Sequence, residues 1–157
     1  MRRLVAGCVI GLVASATAAA GGMAIRPAAA SVSLSSSKAG ARPVTFTLQL
    51  RYEMQCAHPG PGPLVITFPA AERLPRQIGA ADVLVNGHPA TQVEANGRVV
   101  SVALPIQHGP LCDVIAPATL RVVITRDAAI GNPPTAGTYS LTAQTPRVSG
   151  HATLTIH

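Results

Sequence analysis

Two short segments of the chain each place a cysteine and a histidine close together. The first contains Cys56 and His58, and the second contains His108 and Cys112. Thiolates and imidazoles are ligands that proteins use for zinc and copper. If the fold brings the two segments together, the four side chains would form a metal site in the reduced protein. Their spacings match no known zinc finger, so this metal site is the alternative hypothesis.

The same two cysteines are the only ones outside the N-terminal segment. In an oxidising compartment, two cysteines most simply form one disulfide bond. A bond between Cys56 and Cys112 would close a loop of about 57 residues and would stabilise the fold by about 4 kcal/mol. The leading prediction is therefore a Cys56–Cys112 disulfide, which requires that the protein leaves the cytoplasm.

The N-terminal segment has the layout of a secretory signal peptide. Arg2 and Arg3 are followed by the apolar run Leu4 to Val13, and small residues fill Ala14 to Ala20. A positive start, an apolar run and small residues are the three parts of such a signal. The sequence therefore predicts a helical signal peptide over residues 1–30.

Two positions satisfy the small-residue rule for signal cleavage, after Ala20 or after Ala30. The mature domain is predicted to span residues 31–157, with its first strand at Ser31. The alternative is an uncleaved anchor, because Leu4 to Ala20 is just at the lower limit of length for crossing a bilayer. Contact with a membrane is expected only in that case.

No arrangement of residues in the mature chain predicts catalysis. Hydrolytic enzymes need paired carboxylates, or a nucleophile within reach of a base. The chain has no glycine-rich phosphate loop, no His-Glu-x-x-His pair and no acidic calcium loop. We therefore expect no enzymatic activity and no cofactor. The acidic residues of the mature chain are isolated in sequence: Glu53, Glu72, Asp82, Glu94, Asp113 and Asp127.

The positive charge of the chain does not predict nucleic-acid binding. The formal net charge is +6, and excluding Arg2, Arg3 and Arg26 leaves a net charge of about +3. The remaining basic residues are scattered singly. Nucleic-acid-binding proteins concentrate positive charge on one face and place aromatic side chains among it. Nucleic acid is therefore excluded as the expected partner.

From Ser31 onward, apolar and polar residues alternate in short stretches. The longest stretch runs from Val44 to Met54 and places its apolar residues, Phe46 to Tyr52 among them, on one face. Alternation with a period of two predicts a β-strand with one buried face. About eight or nine such strands are predicted. Their other apolar sets lie at residues 32–34, 64–68, 83–85, 100–104, 120–124, 139–143 and 152–156.

Turn residues separate these stretches. Asn96-Gly97 lies between two alternating segments, and Asn86-Gly87 follows the stretch that ends at Val85. Asn-Gly readily takes the positive φ angles of a tight hairpin turn. Short antiparallel strands with one apolar face need a second layer to cover that face. The prediction is an all-β, two-sheet antiparallel sandwich of immunoglobulin-like type, with an open barrel as the alternative.

Five segments with strand-like and turn-like patterns follow one another along the chain. They are Ser31 to Ser36, Leu64 to Pro69, Val83 to Gly87, Val100 to Pro105 and Ile130 to Leu141. The last one contains Asn-Pro and Ala-Gly-Thr-Tyr before a late strand. Together these segments resemble immunoglobulin-like β-sandwich modules of exported and cell-surface proteins of bacteria and archaea. The resemblance implies the sandwich fold and an external location, and it implies no catalytic residue.

The expected function is that of an exported, non-catalytic module, structural or protein-binding, at or outside the cell envelope. Loops at the ends of a rigid sheet can vary without loss of stability. We therefore expect an unidentified protein or envelope component to contact the loops Ala57 to Pro63 and Pro105 to Pro117. Within the Ile130 to Leu141 segment, the Tyr139 ring is expected in the core, with its hydroxyl bonded to the backbone.

Overall fold

The computed structural model of the chain describes residues 25–51, 62–111, 113–114 and 118–157. These residues form β-strands and two short 3-10 turns, Ala80–Asp82 and Arg126–Ala128. The prediction of an all-β protein is confirmed. In chain order the strands are β1 (Arg26–Leu34), β2 (Phe46–Arg51), β3 (Leu64–Thr67), β4 (Val83–Val85), β5 (His88–Pro89), β6 (Val93–Asn96), β7 (Val99–Val102), β8 (Gln107–His108), β9 (Asp113–Val114), β10 (Thr119–Ile124), β11 (Gly137–Gln144) and β12 (Val148–Ile156).

Ten of these strands form one continuous mixed sheet. Their order is β5-β4-β10-β2-β1-β12-β11-β3-β7-β6, and β8 pairs separately with β9. β1 joins the two halves of the sheet. Its residues 26–29 pair in parallel with residues 148–151 of β12, and its residues 30–34 pair antiparallel with β2. The prediction of two separate sheets in an immunoglobulin-like sandwich is therefore wrong, because β1 changes partner midway and keeps the sheet continuous.

The sheet curls so that the inner faces of its two halves pack against each other. The rings of Phe46 in β2 and Phe68 after β3 lie 4.9 Å apart between centroids, at 55°. Both are almost completely buried, in one core that draws on both halves of the sheet. The apolar faces thus cover each other as the alternation requires. The resulting half-barrel is nearer to the open-barrel alternative.

The alternation predicted from the sequence sets which side chains enter this core. In and before β2, the side chains of Val44, Phe46, Leu48 and Leu50 are fully buried. Thr47 and Gln49 lie between them on the outer face, partly or fully exposed. Two consecutive residues of a strand point to opposite faces, which explains this division. Tyr52 and Met54, predicted on the same apolar face, lie outside the described residues.

Both predicted hairpins are present. Asn86 and Gly87 have φ angles of 53° and 90°, and β4 and β5 pair on either side of them. Positive φ at both central residues is the geometry of the favoured two-residue turn. In the β6–β7 hairpin Asn96 pairs with Val99, so the turn consists of Gly97 and Arg98, one residue later than predicted.

β1 begins at Arg26, five residues before the predicted start of the domain at Ser31. Its first residues, Arg26 to Ala30, fall within the segment predicted as a signal peptide, where small residues hide the alternation. Residues 1–24, which carry the predicted signal helix, lie outside the described part of the chain. Within the described ranges, no helix is long and apolar enough to cross a membrane.

The loops that precede β2 and β11 are tied together by a buried asparagine. Nδ2 of Asn132 donates hydrogen bonds to the carbonyl oxygens of Ser36 at 2.8 Å and Lys38 at 2.9 Å. A few residues on, the Tyr139 hydroxyl donates to the Thr135 carbonyl oxygen at 2.9 Å, which confirms the predicted backbone bond. Its ring is half-buried against the core. These bonds fix the loops at one end of the sheet.

Candidate functional site

The two ends of the curled sheet carry different loops. β1 and β12 begin at the same end, where the antiparallel neighbours β2 and β11 finish. β7 also finishes at this end and β10 begins there, so the β8–β9 hairpin between them lies at the same end. We call this the hairpin end. The loops tied by Asn132 lie at the opposite end.

Exposed apolar side chains mark the hairpin end. In the described part of the chain, the large hydrophobic residues that are exposed are Ile25 at 49%, Ile106 at 36% and Leu111 at 85%. Ile25 directly precedes β1, and Ile106 and Leu111 flank β8. All three therefore lie at one end of the molecule. Scattered exposed apolar residues are normal, but a shared location indicates a contact surface.

An open groove of about 290 Å³ includes one of these side chains, Ile106, in its lining. Leu104, Gly62 and Pro63 also line it. Gln92 and Glu94 are polar residues of the same lining, and Nε2 of Gln92 donates to Oε1 of Glu94 at 2.9 Å. The groove therefore combines apolar side chains with one polar pair.

Parts of the two loops predicted to contact a partner are described, and they lie at this end. They are Gly62 and Pro63 of the first loop, which line the groove, and Pro105 to Leu111 with the β8–β9 pairing of the second. The rest of the first loop, residues 57–61, lies outside the described residues. These loops were predicted as contact sites from the sequence, whereas the exposed side chains of Ile25, Ile106 and Leu111 were not. Large apolar residues among the prolines and glycines of the second loop are the signal that would have indicated them.

The predicted disulfide and metal site stay predictions. Cys56, His58 and Cys112 lie outside the described residues. His108 belongs to β8, where its backbone pairs with Asp113. Among the residues that the structure describes, no group of three histidine, cysteine or acidic side chains could hold a metal ion.

A carboxyl group is buried without a hydrogen-bond partner at the opposite end. Glu72 is the last residue of a turn, and its backbone N–H closes that turn by donating to the Pro69 carbonyl oxygen at 3.0 Å. Neither side-chain oxygen of Glu72 has a partner. Removal from water disfavours the charged form and raises the pKa of Glu72 from 4.5 to about 7. This carboxyl group therefore titrates near neutral pH.

We expect the free energy of unfolding to fall as the pH rises from about 4.5 to about 7. Below this window Glu72 is protonated in both states; within it the unfolded chain loses the proton first, which favours unfolding. The full shift would correspond to about 3 kcal/mol, and partial exposure reduces the effect to on the order of 1 to 2 kcal/mol. Urea denaturation at each pH measures it.

The matched control is Glu72→Gln, which keeps the shape and removes the charge. Subtracting its pH profile from that of the unmodified protein cancels the titration of histidines. The difference should be near zero at pH 4 and should grow to a plateau above pH 7, with the variant more stable. If the stabilities of the two proteins stay parallel between pH 4 and pH 7, the raised pKa of Glu72 is contradicted.

Comparisons with known proteins give a similarity of fold. No family model matches the chain, and no curated protein matches it. Among solved structures, it is similar to the crystal structure of BslA, described as a bacterial hydrophobin. The two share 18% sequence identity with a TM-score of 0.50, and the match covers 82% of this chain and 98% of BslA. At this identity the similarity concerns the fold alone.

Proposed function

We propose that the protein is exported, has no catalytic role, and adsorbs to an apolar surface outside the cytoplasm through its hairpin end. The observation that carries this proposal is the shared location of the exposed side chains of Ile25, Ile106 and Leu111. Leu111 is the most exposed of the three. A surface or partner that covers these side chains removes apolar area from water.

The energy of such a contact is substantial. Full burial of an exposed leucine or isoleucine side chain contributes about 1.5 to 3 kcal/mol. Leu111, at 85% exposure, can gain most of this, while Ile25 and Ile106, at 49% and 36%, gain only in proportion to the area still exposed. Because all three lie at one end, their gain favours one orientation of the molecule at an interface. Arg26 begins β1 and Arg51 ends β2 at the same end, and such side chains keep their charges in water while their stems lie on apolar surface.

The description of BslA also supports adsorption to an apolar surface. BslA is called a bacterial hydrophobin. Hydrophobin behaviour requires an apolar region that stays exposed in the folded protein, and the hairpin end supplies one. Only 11% of the residues of this chain are charged, which also suits a protein that works at an interface.

Export is supported by the signal-like N-terminal segment. The extent of β1 bears on where that segment would be cleaved. Cleavage after Ala20 would leave β1 whole, whereas cleavage after Ala30 would remove the residues that pair with β12. We therefore favour the first position. In the oxidising space outside the cytoplasm, the predicted Cys56–Cys112 bond would connect the two loops of the hairpin end.

The test measures the surface tension of a protein solution over time in a pendant drop. The unmodified protein is expected to lower the surface tension. Replacing both exposed residues of the second loop, Ile106→Glu with Leu111→Glu, should slow adsorption at least tenfold, because charged groups resist removal from water. Ala136→Glu with Thr138→Glu adds the same charge at the opposite end and is the matched control.

Equal adsorption by the two double variants would refute the proposal. So would an unmodified protein that leaves the surface tension of water unchanged. Thermal melting of both variants shows whether each one is folded, and the exposed positions make folding of both expected.

A further inference from the structure

Three arginines that are far apart in sequence, Arg42, Arg73 and Arg126, lie at the end opposite to the hairpin end. Arg73 pairs with Gly131 through two backbone hydrogen bonds, of 3.0 and 2.9 Å. Residues paired in this way lie about 5.5 Å apart and point to the same side. Arg42 lies against that side of Gly131: a Cβ atom added there would be 3.1 to 3.2 Å from its side-chain carbons. Arg42 and Arg73 are therefore neighbours.

The backbone of Arg126 lies one turn away from Ala129, the residue that anchors Arg42. Arg126 begins the 3-10 turn whose last hydrogen bond runs from the Ala129 N–H to the Arg126 carbonyl oxygen, at 2.9 Å. Ala129 in turn holds Arg42, because its carbonyl oxygen accepts a hydrogen bond from Nε of Arg42 at 3.0 Å. Arg42, Arg73 and Arg126 are all exposed. We call these three residues the arginine cluster.

Arg42 is held in a fixed orientation before any ligand binds. Its stem lies across Gly131, where the absence of a side chain leaves room for it, and its Nε is bonded to Ala129. A guanidinium group has five N–H donors in a rigid fork, so this anchor leaves its outer N–H groups directed elsewhere. Because the side chain is already ordered, binding through it loses less conformational entropy.

The charge of the cluster is not neutralised internally. Within the described residues, no ion pair joins Arg42, Arg73 or Arg126 to a carboxylate. Asp127 is exposed beside Arg126, and the Glu72 carboxyl next to Arg73 is buried. Asp82 is partly exposed, and its carbonyl oxygen accepts a hydrogen bond from the Thr125 N–H at 2.8 Å. Three exposed positive groups, of which Arg42 is held in place, therefore outnumber the exposed or partly exposed carboxylates near them. Such an arrangement attracts oxyanions.

We infer that the arginine cluster binds the carboxylates of an acidic polysaccharide. A planar guanidinium forms two parallel hydrogen bonds with a carboxylate or with a phosphate, so the sources of phosphate have to be weighed against an acidic polysaccharide. The cluster contains no aromatic side chain for stacking nucleic-acid bases, which argues against single-stranded nucleic acid. Anionic lipid is disfavoured because the exposed apolar side chains lie at the other end. The choice of an extracellular polymer rests on the proposed export.

This inference gives the molecule two different ends. The hairpin end would contact an apolar surface, while the arginine cluster would hold an acidic polymer on the hydrated side. The two activities depend on separate residues, so each can fail without the other. Surface tension measures the first, and polymer binding measures the second.

The test measures binding of the full chain to polygalacturonate at low and at physiological salt. The triple variant Arg42→Gln, Arg73→Gln, Arg126→Gln should bind at least tenfold more weakly, since it loses several charged hydrogen bonds. Its matched control is Arg51→Gln, Arg98→Gln, Arg121→Gln, which removes the same charge from exposed positions elsewhere. The pair Arg73→Gln, Arg126→Gln keeps the Arg42 anchor in case the triple variant unfolds.

Binding that the control retains and the triple variant loses supports the inference. Equal loss in both variants would show that net charge alone attracts the polymer, and would overturn it. Preference for inorganic polyphosphate, single-stranded DNA or vesicles with anionic lipid over polygalacturonate would overturn it too. An unmodified protein that does not bind polygalacturonate refutes it, whatever the surface tension shows.

Discussion

Phe68→Ala is expected to lower the free energy of unfolding by about 3 to 5 kcal/mol, the range for removing a buried aromatic ring. Phe68 is 1% exposed, and its ring packs at 4.9 Å from that of Phe46. The two rings belong to opposite halves of the curled sheet. Their contact is one of the places where the halves hold together, so its loss leaves a cavity that the strands cannot easily close. Urea denaturation followed by circular dichroism measures the change.

Phe68→Leu separates the contribution of the ring pair from that of burial. It keeps an apolar side chain and should destabilise less than Phe68→Ala. Combined with Phe46→Leu in a double-mutant cycle, it should give a coupling of about 0.5 to 1.5 kcal/mol, the range for aromatic pairs. A loss below about 1 kcal/mol for Phe68→Ala would contradict the packing of the two halves described here.

Gly150→Val is expected to destabilise the protein by about 3 kcal/mol, because the site has no room for a side chain. A Cβ atom at Gly150 would lie 2.6 Å from Cδ1 of Leu50, 2.8 Å from Cβ of Ala30 and 3.2 Å from the carbonyl oxygen of Ala28. Ala28 and Ala30 stand on either side of the point where β1 changes partner. The substitution therefore pushes β1 away from β12 where the two halves of the sheet join. Chemical denaturation quantifies the loss.

His151→Val is the matched control, since the next residue of β12 faces solvent. It should change stability by about 0.5 kcal/mol or less. A second check uses Ala30→Gly, which removes one of the obstructing atoms and should make Gly150→Ala less harmful in combination than alone. If Gly150→Val melts like the unmodified protein, the close approach of β1 to β12 is refuted.

Much of the fold could be predicted because its signals are local. The alternation around Phe46 and Leu48 identified β2, and Asn86-Gly87 identified a hairpin, since both follow from the geometry of a few neighbouring residues. The packing of two apolar faces followed from the same alternation. The division into two separate sheets was wrong, because it depends on which strands β1 joins. That choice is made by residues more than one hundred positions away in β12.

The candidate sites were less predictable for the same reason. Arg42, Arg73 and Arg126 appear isolated in the sequence, and only the pairing of Arg73 with Gly131 brings two of them together. Ile25 lies in a stretch whose composition is typical of a signal peptide. Gly150 was the clearest missed signal, because a glycine within an alternating strand often marks a close backbone approach. The loops at the hairpin end were predicted from their composition, but their exposed apolar side chains were not.

The double pairing of β1 also governs the order in which the molecule is completed. The first described strand finds one of its two partners only in β12, more than one hundred residues later. A polypeptide that emerges from a ribosome or a translocation channel therefore cannot close this seam until β12 is free. Contacts so distant along the chain slow folding. The polypeptide should thus remain open, and competent for threading through a narrow pore, for as long as β12 is held back.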